Sequence, residues 1–232
     1  MRYLILLTVL LSCFAIGFRF SEQPPPPAVP MVQQNEANIG FDWAFGALVG
    51  KGKTMVAITH DTTLMSGEEI KMLVKLRKDC FVYLVHQDSK GEIELLFPSK
   101  IQQFQTDYTV DKNYFIPKGR GWSAFDKNTG KEVFFLIAST ERLLDLEVKL
   151  GNYFSADMSK KQALADDIVS EIRNVRKHYT TFSTIAEKPV SIGGNIRGTE
   201  KVEGARRPDV STLATQISAK NFYSKTITID HQ

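Results

Sequence analysis

Cysteine is nearly absent: 232 residues hold two, Cys13 and Cys80, too few for a disulfide framework. Histidine is scarce too, with His60, His86, His178 and His231. None stands at metal-ligand spacing from another His or a Cys, so the sequence predicts no metal site. No G-x-S-x-G stretch exists to place a serine nucleophile on an elbow. A surplus of one charge is also missing. The net charge of +3 lacks the clustered Lys and Arg of a nucleic-acid face, so no nucleic-acid partner is expected, and nothing implies a cofactor. Nor is there an apolar run of the roughly 20 residues that span a bilayer comfortably; residues 3–18 fall short.

Residues 1–19 are nevertheless a different material. Arg2 gives a positive start, YLILLTVLL follows, and the apolar character ends by Arg19. This is the form of a secretory signal. Leu10-Leu11-Ser12-Cys13 resembles a lipobox, in which Cys13 would carry lipid. Ala15-Ile16-Gly17 has the small-x-small form that ordinary signal peptidase cuts. Retention as an anchor is a third reading, and all three put the folded part outside the cytosol. Residues 20–38 hold four consecutive prolines and then polar residues without periodicity. They read as a semi-rigid polyproline spacer, or as a plain disordered leader. Cys80, inside CFVYLV, reads as a small buried hydrophobe.

The stretch ALVGKGKT, from Ala47 to Thr54, fits the looser form of a phosphate-binding loop. That loop needs its Lys and Thr to open a helix whose amides hold the anion. The flanking sequence predicts strands instead. In FDWAFGALV, Phe41, Trp43, Phe45, Ala47 and Val49 repeat every second residue. GKGK then reads as a hairpin turn, with TMVAITHD returning. Nucleotide binding at the Ala47 to Thr54 loop therefore stands only as a remote alternative.

The β pattern continues through residues 39–232, expected to be one β-rich domain. IKMLVKL sets Ile70, Met72, Val74 and Leu76 on one face and Lys71 and Lys75 on the other. FVYLVHQ is apolar on both faces, as a central strand is. IELLFP, YFIP, WSAF and VFFLIAS add further strands, at the spacing of a sandwich or barrel. The period then changes. Leu164, Ile168, Ile172, Val175 and Tyr179 mark an amphipathic helix that covers part of the core, with Ser159 and Gln162 as its capping box. Residues 141–150 read as a short helix. Residues 189–198 and 221–231 read as returning strands, and the polar stretch between them, with Arg206 and Arg207, as a mobile loop. The fold class is mainly β: an antiparallel sandwich-like domain with one amphipathic helix packed on it.

The order of these pieces resembles a bacterial family, the domain of unknown function numbered 4384. Gly67-Glu68 stands before a strand, and Phe81-Val82-Tyr83-Leu84 stands for an aromatic strand. Asp88 to Gly91 gives a D-x-x-G turn; Leu96-Phe97-Pro98 and Ile116-Pro117 follow. The resemblance runs from about Val56 to Ser139. It implies an all-β module of the envelope or of signalling, found beside signal sequences or other domains, and no established catalytic residues.

Chemistry is thin. His60 adjoins Asp61, and His86 lies near Asp88; either could serve as base in a hydrolase if a distant Ser or Cys were brought to it. As an isolated sequence feature, each reads as a surface histidine near a turn. Asp166-Asp167 read as solvated helix charges. Gly193-Gly194-Asn195 with Arg197 form a tight turn, or alternatively an anion-binding nest. Tyr108, Tyr114, Phe115 and Trp122 are either a recognition surface or plugs for the sandwich ends. The sequence thus points to an exported, membrane-tethered binding module with an envelope protein as partner.

Overall fold

The structure, a computed structural model, describes residues 37–179, 185–189 and 207–232. The leader, Cys13, all of the proline-rich segment but its last two residues, and the stretch containing Gly193, Gly194, Asn195, Arg197 and Arg206 lie outside the described residues.

In chain order, β1 (Ile39–Val49), β2 (Thr54–Ala57) and β3 (Thr62–Leu64) are followed by β4 (Glu69–Leu76), β5 (Phe81–Gln87) and β6 (Ile93–Phe97). A single helical turn, α1 (Gln103–Thr106), precedes β7 (Asn113–Ile116), β8 (Ser123–Ala124) and β9 (Gly130–Ser139). Two helices come next, α2 (Leu144–Ser155) and α3 (Met158–Tyr179). β10 (Ile185–Pro189), a 3-10 turn (Val210–Leu213), β11 (Thr215–Ala219) and β12 (Phe222–His231) complete the order.

These strands make two sheets. One runs β10-β11-β1-β4-β7, with β2 also on β1 and β8 also on β4; the other runs β3-β12-β9-β5-β6. All pairs are antiparallel except β12 with β3. The sheets close on each other through the alternate residues that the sequence marks as apolar. Phe41, Phe45, Met72 and Val74 from one sheet meet Val82, Leu84, Leu136 and Tyr223 from the other. Phe45 and Phe134 touch edge to face at 5.0 Å between centroids, and Phe41 and Tyr223 at 5.8 Å. The mainly β, sandwich-like fold expected from the sequence is the fold observed.

Two further layers cover the outer faces. α2 and α3 set Leu146, Leu150, Ile168 and Ile172 on Tyr83, Val85, Phe135 and Ile137. The expected covering helix thus has a companion, which overlaps the segment predicted at 141–150 but begins at Leu144 and runs on to Ser155. On the opposite side, Val210 and Ala214 pack against Ala44 and Leu73. The fit is close. A Cβ on Gly46 would lie 3.0 Å from both Leu213 Cδ1 and Val210 Cγ2, so a strand residue without a side chain is needed there.

This second cover corrects several expectations. β1 is buried on both faces, so its two-residue period does not mark a solvent side. Lys71, placed outward by the alternation, is 4% exposed. The polar stretch expected as a mobile loop contains, in its described part, the 3-10 turn and β11. Ser159 is not a cap, because α3 already begins at Met158; Gln162 bonds Asp166 instead. Only Pro189 of the predicted 189–198 strand is described, and it ends β10.

Candidate functional site

The opening of the sandwich lies where β6, the edge of one sheet, faces β7 and β8, the edge of the other. Phe97 of β6 and Tyr114 of β7 meet at 5.2 Å. Around that contact opens a cleft of about 940 Å³, at the upper end of the range that holds small ligands. Its walls mix Ile70, Met72, Leu95 and Phe134 with His86, Glu94, Glu132 and Lys118.

His86 anchors the polar end. β5 turns it toward β9, where its ring stacks on Phe134 at 4.5 Å between centroids. Nε2 lies 2.7 Å from Glu132 Oε2, and Nδ1 lies 3.9 Å from Glu94 Oε2. Glu132 also accepts from the Ser89 amide at 3.3 Å. Burial, the strongest single influence on His86, works to lower its pKa. Bonds to the two carboxylates outweigh it, and the net shift is upward. The same pairing, with His86 as hydrogen-bond partner, holds the Glu94 carboxyl below its ordinary value. His86 is therefore no isolated surface histidine. The sequence signal for it was a His interrupting an apolar strand, and its partners were out of reach because register alone sets Glu94 opposite it.

Lys71 shapes the opposite wall. Its ammonium donates to the carbonyls of Pro117 at 3.2 Å, Gly119 at 2.8 Å and Gly121, and lies 5.4 Å from the Phe115 ring centre. Burial lowers its pKa. One buried cation thus gathers the loop between β7 and β8, of which Pro117, Lys118 and Gly119 line the cleft.

The aromatic residues divide. Tyr108 is a plug: its hydroxyl accepts from Val82 N at 2.8 Å and donates to Cys80 O at 2.9 Å, and its ring stacks on Phe97 at 5.8 Å. Tyr114 is buried beside it and accepts from Thr109 N at 2.6 Å, and Tyr114 and Phe115 also line the cleft. Trp122 packs against the cluster under the 3-10 turn. Cys80 is buried as expected, with its thiol pushed up to about 11 by burial.

The residues of the phosphate-loop pattern form a hairpin. Val49 pairs with Thr54, and the turn between them uses positive φ at Gly50 (66°) and Lys53 (48°). Its two anion-binding groups are already engaged. The Gly50 amide donates to Glu68 at 2.8 Å; Lys53 donates to Gly67 O at 2.9 Å and pairs with Glu69 at 3.2 Å. Glu69 also takes Arg207.

A Ser–His contact does exist, away from His60 and His86. Ser66 Oγ lies 3.0 Å from His231 Nε2 and donates to Gln232 O at 3.3 Å. With its proton on that carbonyl, the hydroxyl accepts from Nε2–H. Nδ1 is buried without a partner, so no carboxylate orients the ring as a catalytic base requires. His60 contacts the Thr59 hydroxyl at 3.3 Å. Asp167 pairs with Lys149 at 2.7 Å on the helix surface. Among the described residues no group of three His, Cys, Asp or Glu is placed to hold a metal, and no helix is long and apolar enough to cross a membrane.

Fold and cleft define a two-sheet β-sandwich open along one side. Residues 63–142 match the model of a family described as Domain of unknown function (DUF4384), close to the span of the resemblance read from the sequence. Every residue lining the cleft falls within that match. Comparison with curated proteins and with solved structures finds no match.

Proposed function

We propose that the chain is an exported, non-catalytic binding module of the bacterial cell envelope, held near a membrane by its N-terminal segment, whose envelope-protein partner docks in the side cleft. The observation that carries this reading is the cleft itself: a concave, partly apolar space with a few convergent polar groups is the usual form of a binding site. His86 there is held by Glu132 and lies near Glu94, and among the described residues no Ser or Cys bonds its ring, which supports recognition over activation of a nucleophile. The apolar leader and the proline-rich spacer support export and tethering.

The test has two parts. Mass spectrometry of the mature N-terminus after membrane fractionation is expected to find cleavage at Cys13 with lipid, or after Gly17, in an envelope fraction. A photocrosslinker at Lys118 in intact cells is expected to trap an envelope protein, while one at Val56 on β2 does not. A chain found unprocessed in the cytosol, or equal adducts from both positions, would overturn the reading.

A further inference from the structure

The side cleft is bordered on both walls by the outermost strands of the two sheets, β6 on one and β7 with β8 on the other. Outermost strands carry main-chain N–H and C=O groups on the side without a neighbour, and natural proteins usually protect them with Pro, Lys or a covering segment. β6, Ile93-Glu94-Leu95-Leu96-Phe97, contains neither Pro nor Lys. One amide of this strand is engaged from elsewhere, Ile93 N donating to the Tyr153 hydroxyl at 2.9 Å. That bond lies at one end of the strand, and Leu95, Leu96 and Phe97 line the cleft beyond it.

The charges in the cleft are uneven. Asp88, Glu94, Asp107, Asp126 and Glu132 line it, against Lys112, Lys118 and His86. Lys112 and Asp107 neutralise each other as an ion pair. Four carboxylates then face Lys118 and His86, so the interior is negative even with the imidazole charged. Phe97 and Phe134, which also line it, are closed in the core, so it is the surplus of carboxylates that favours an alkylammonium or guanidinium side chain.

We infer that the cleft takes an extended peptide segment of the partner, which adds as a strand to the β6 edge and sets a Lys or Arg side chain beside the accessible carboxylates of Glu94 and Asp88. This rests on the binding reading above and names its ligand class. Main-chain pairing supplies the affinity, and the acidic end supplies the choice of side chain.

The probe is a fluorescein-labelled six-residue peptide of alternating Val and Thr with one central Lys, titrated into the full chain in detergent. Three companions are the same peptide with central Glu, the Lys peptide N-methylated at alternate residues, and free cadaverine. Binding is expected for the Lys peptide, at least tenfold weaker for the Glu peptide, and absent for the N-methylated one, with cadaverine failing to compete. On binding, amides within residues 93–97 gain protection from hydrogen exchange. Glu94→Lys, at a side chain 68% exposed, weakens the Lys peptide at least tenfold; Val148→Lys on the far surface of α2 changes nothing.

The failures separate. If Glu94→Lys weakens the Lys peptide while N-methylation has no effect, strand addition falls and the cleft survives as a site. Competition by cadaverine also overturns the peptide, in favour of a free amine. If Glu94→Lys changes nothing while the peptide protects amides elsewhere, or if no peptide binds while the Lys118 crosslinker still traps an envelope protein, the peptide inference falls alone. If that crosslinker traps nothing either, the binding reading falls with it.

Discussion

At the scale of single residues, the informative side chains are polar groups lying where apolar ones are the rule. Lys71 is the clearest. Lys71→Met keeps the apolar stem and removes the ammonium, leaving three carbonyls to find water. A loss of about 1–3 kcal/mol is expected, the cost of leaving such groups unsatisfied. In denaturant titration the midpoint drops, and hydrogen exchange shows residues 117–121 opening first. His86 gives a pH test. Its folded pKa is raised, so the stability it contributes is complete below the unfolded value of about 6.5 and is lost as pH rises through the folded value. The melting temperature should fall across that rise, and His86→Gln should flatten this part of the profile. A flat profile in the parent chain would count against the His86–Glu132 pairing. Neither role was legible in the sequence. Alternation gives the face on which a side chain lies, and Lys71 lies on the face it assigns; what alternation omits is that residues 210–213, far along the chain, roof that face.

Elements were far easier to read, because each carries its own period. The strands read at 41–49 and 70–76 and the helix read at 159–179 follow from spacing, and the strand read at 133–139 from an unbroken apolar run. The short strands β3 and β11 did not, since three to five residues with mixed polarity hold no period to detect. The hairpin at residues 47–57 shows the value of local reading, for the turn chemistry decided against a phosphate loop despite matching letters. Millimolar Mg-ATP should leave the melting temperature unchanged; a rise of several degrees would mean the hairpin yields to nucleotide. The start of α2 depends on a buried relay: Tyr83 donates to Glu147 at 2.6 Å, accepts from Leu143 N at 3.0 Å, and Arg142 closes on the same carboxylate. Tyr83→Phe strands the Leu143 amide and leaves the Glu147 carboxylate to Arg142 alone, costing about 1–3 kcal/mol. Protection should be lost in α2 before any strand opens.

At the largest scale, the described residues form a stack in which each sheet is covered on both faces, and stability should be shared accordingly. Ile172→Ala, under the helices, and Leu136→Ala, between the sheets, are each expected to cost about 2–5 kcal/mol. Trp43 and Trp122 report on the sheet without helices, and far-ultraviolet ellipticity reports on α2 and α3. The two transitions should coincide in a denaturant titration; separated midpoints would show the helical layer to be an independent unit.

The placement of β11 and β12 has a consequence for biogenesis. β1 gains a neighbour from residues 215–219, and β9 gains one from residues 222–231. A ribosome therefore delivers β1 and β9 with only one side able to pair, β1 with β4 and β9 with β5, and neither sheet is complete until those late residues emerge. For the exported chain proposed above, such topological delay keeps the polypeptide threadable through a narrow translocation channel, and exposes its strands to holding chaperones on the way.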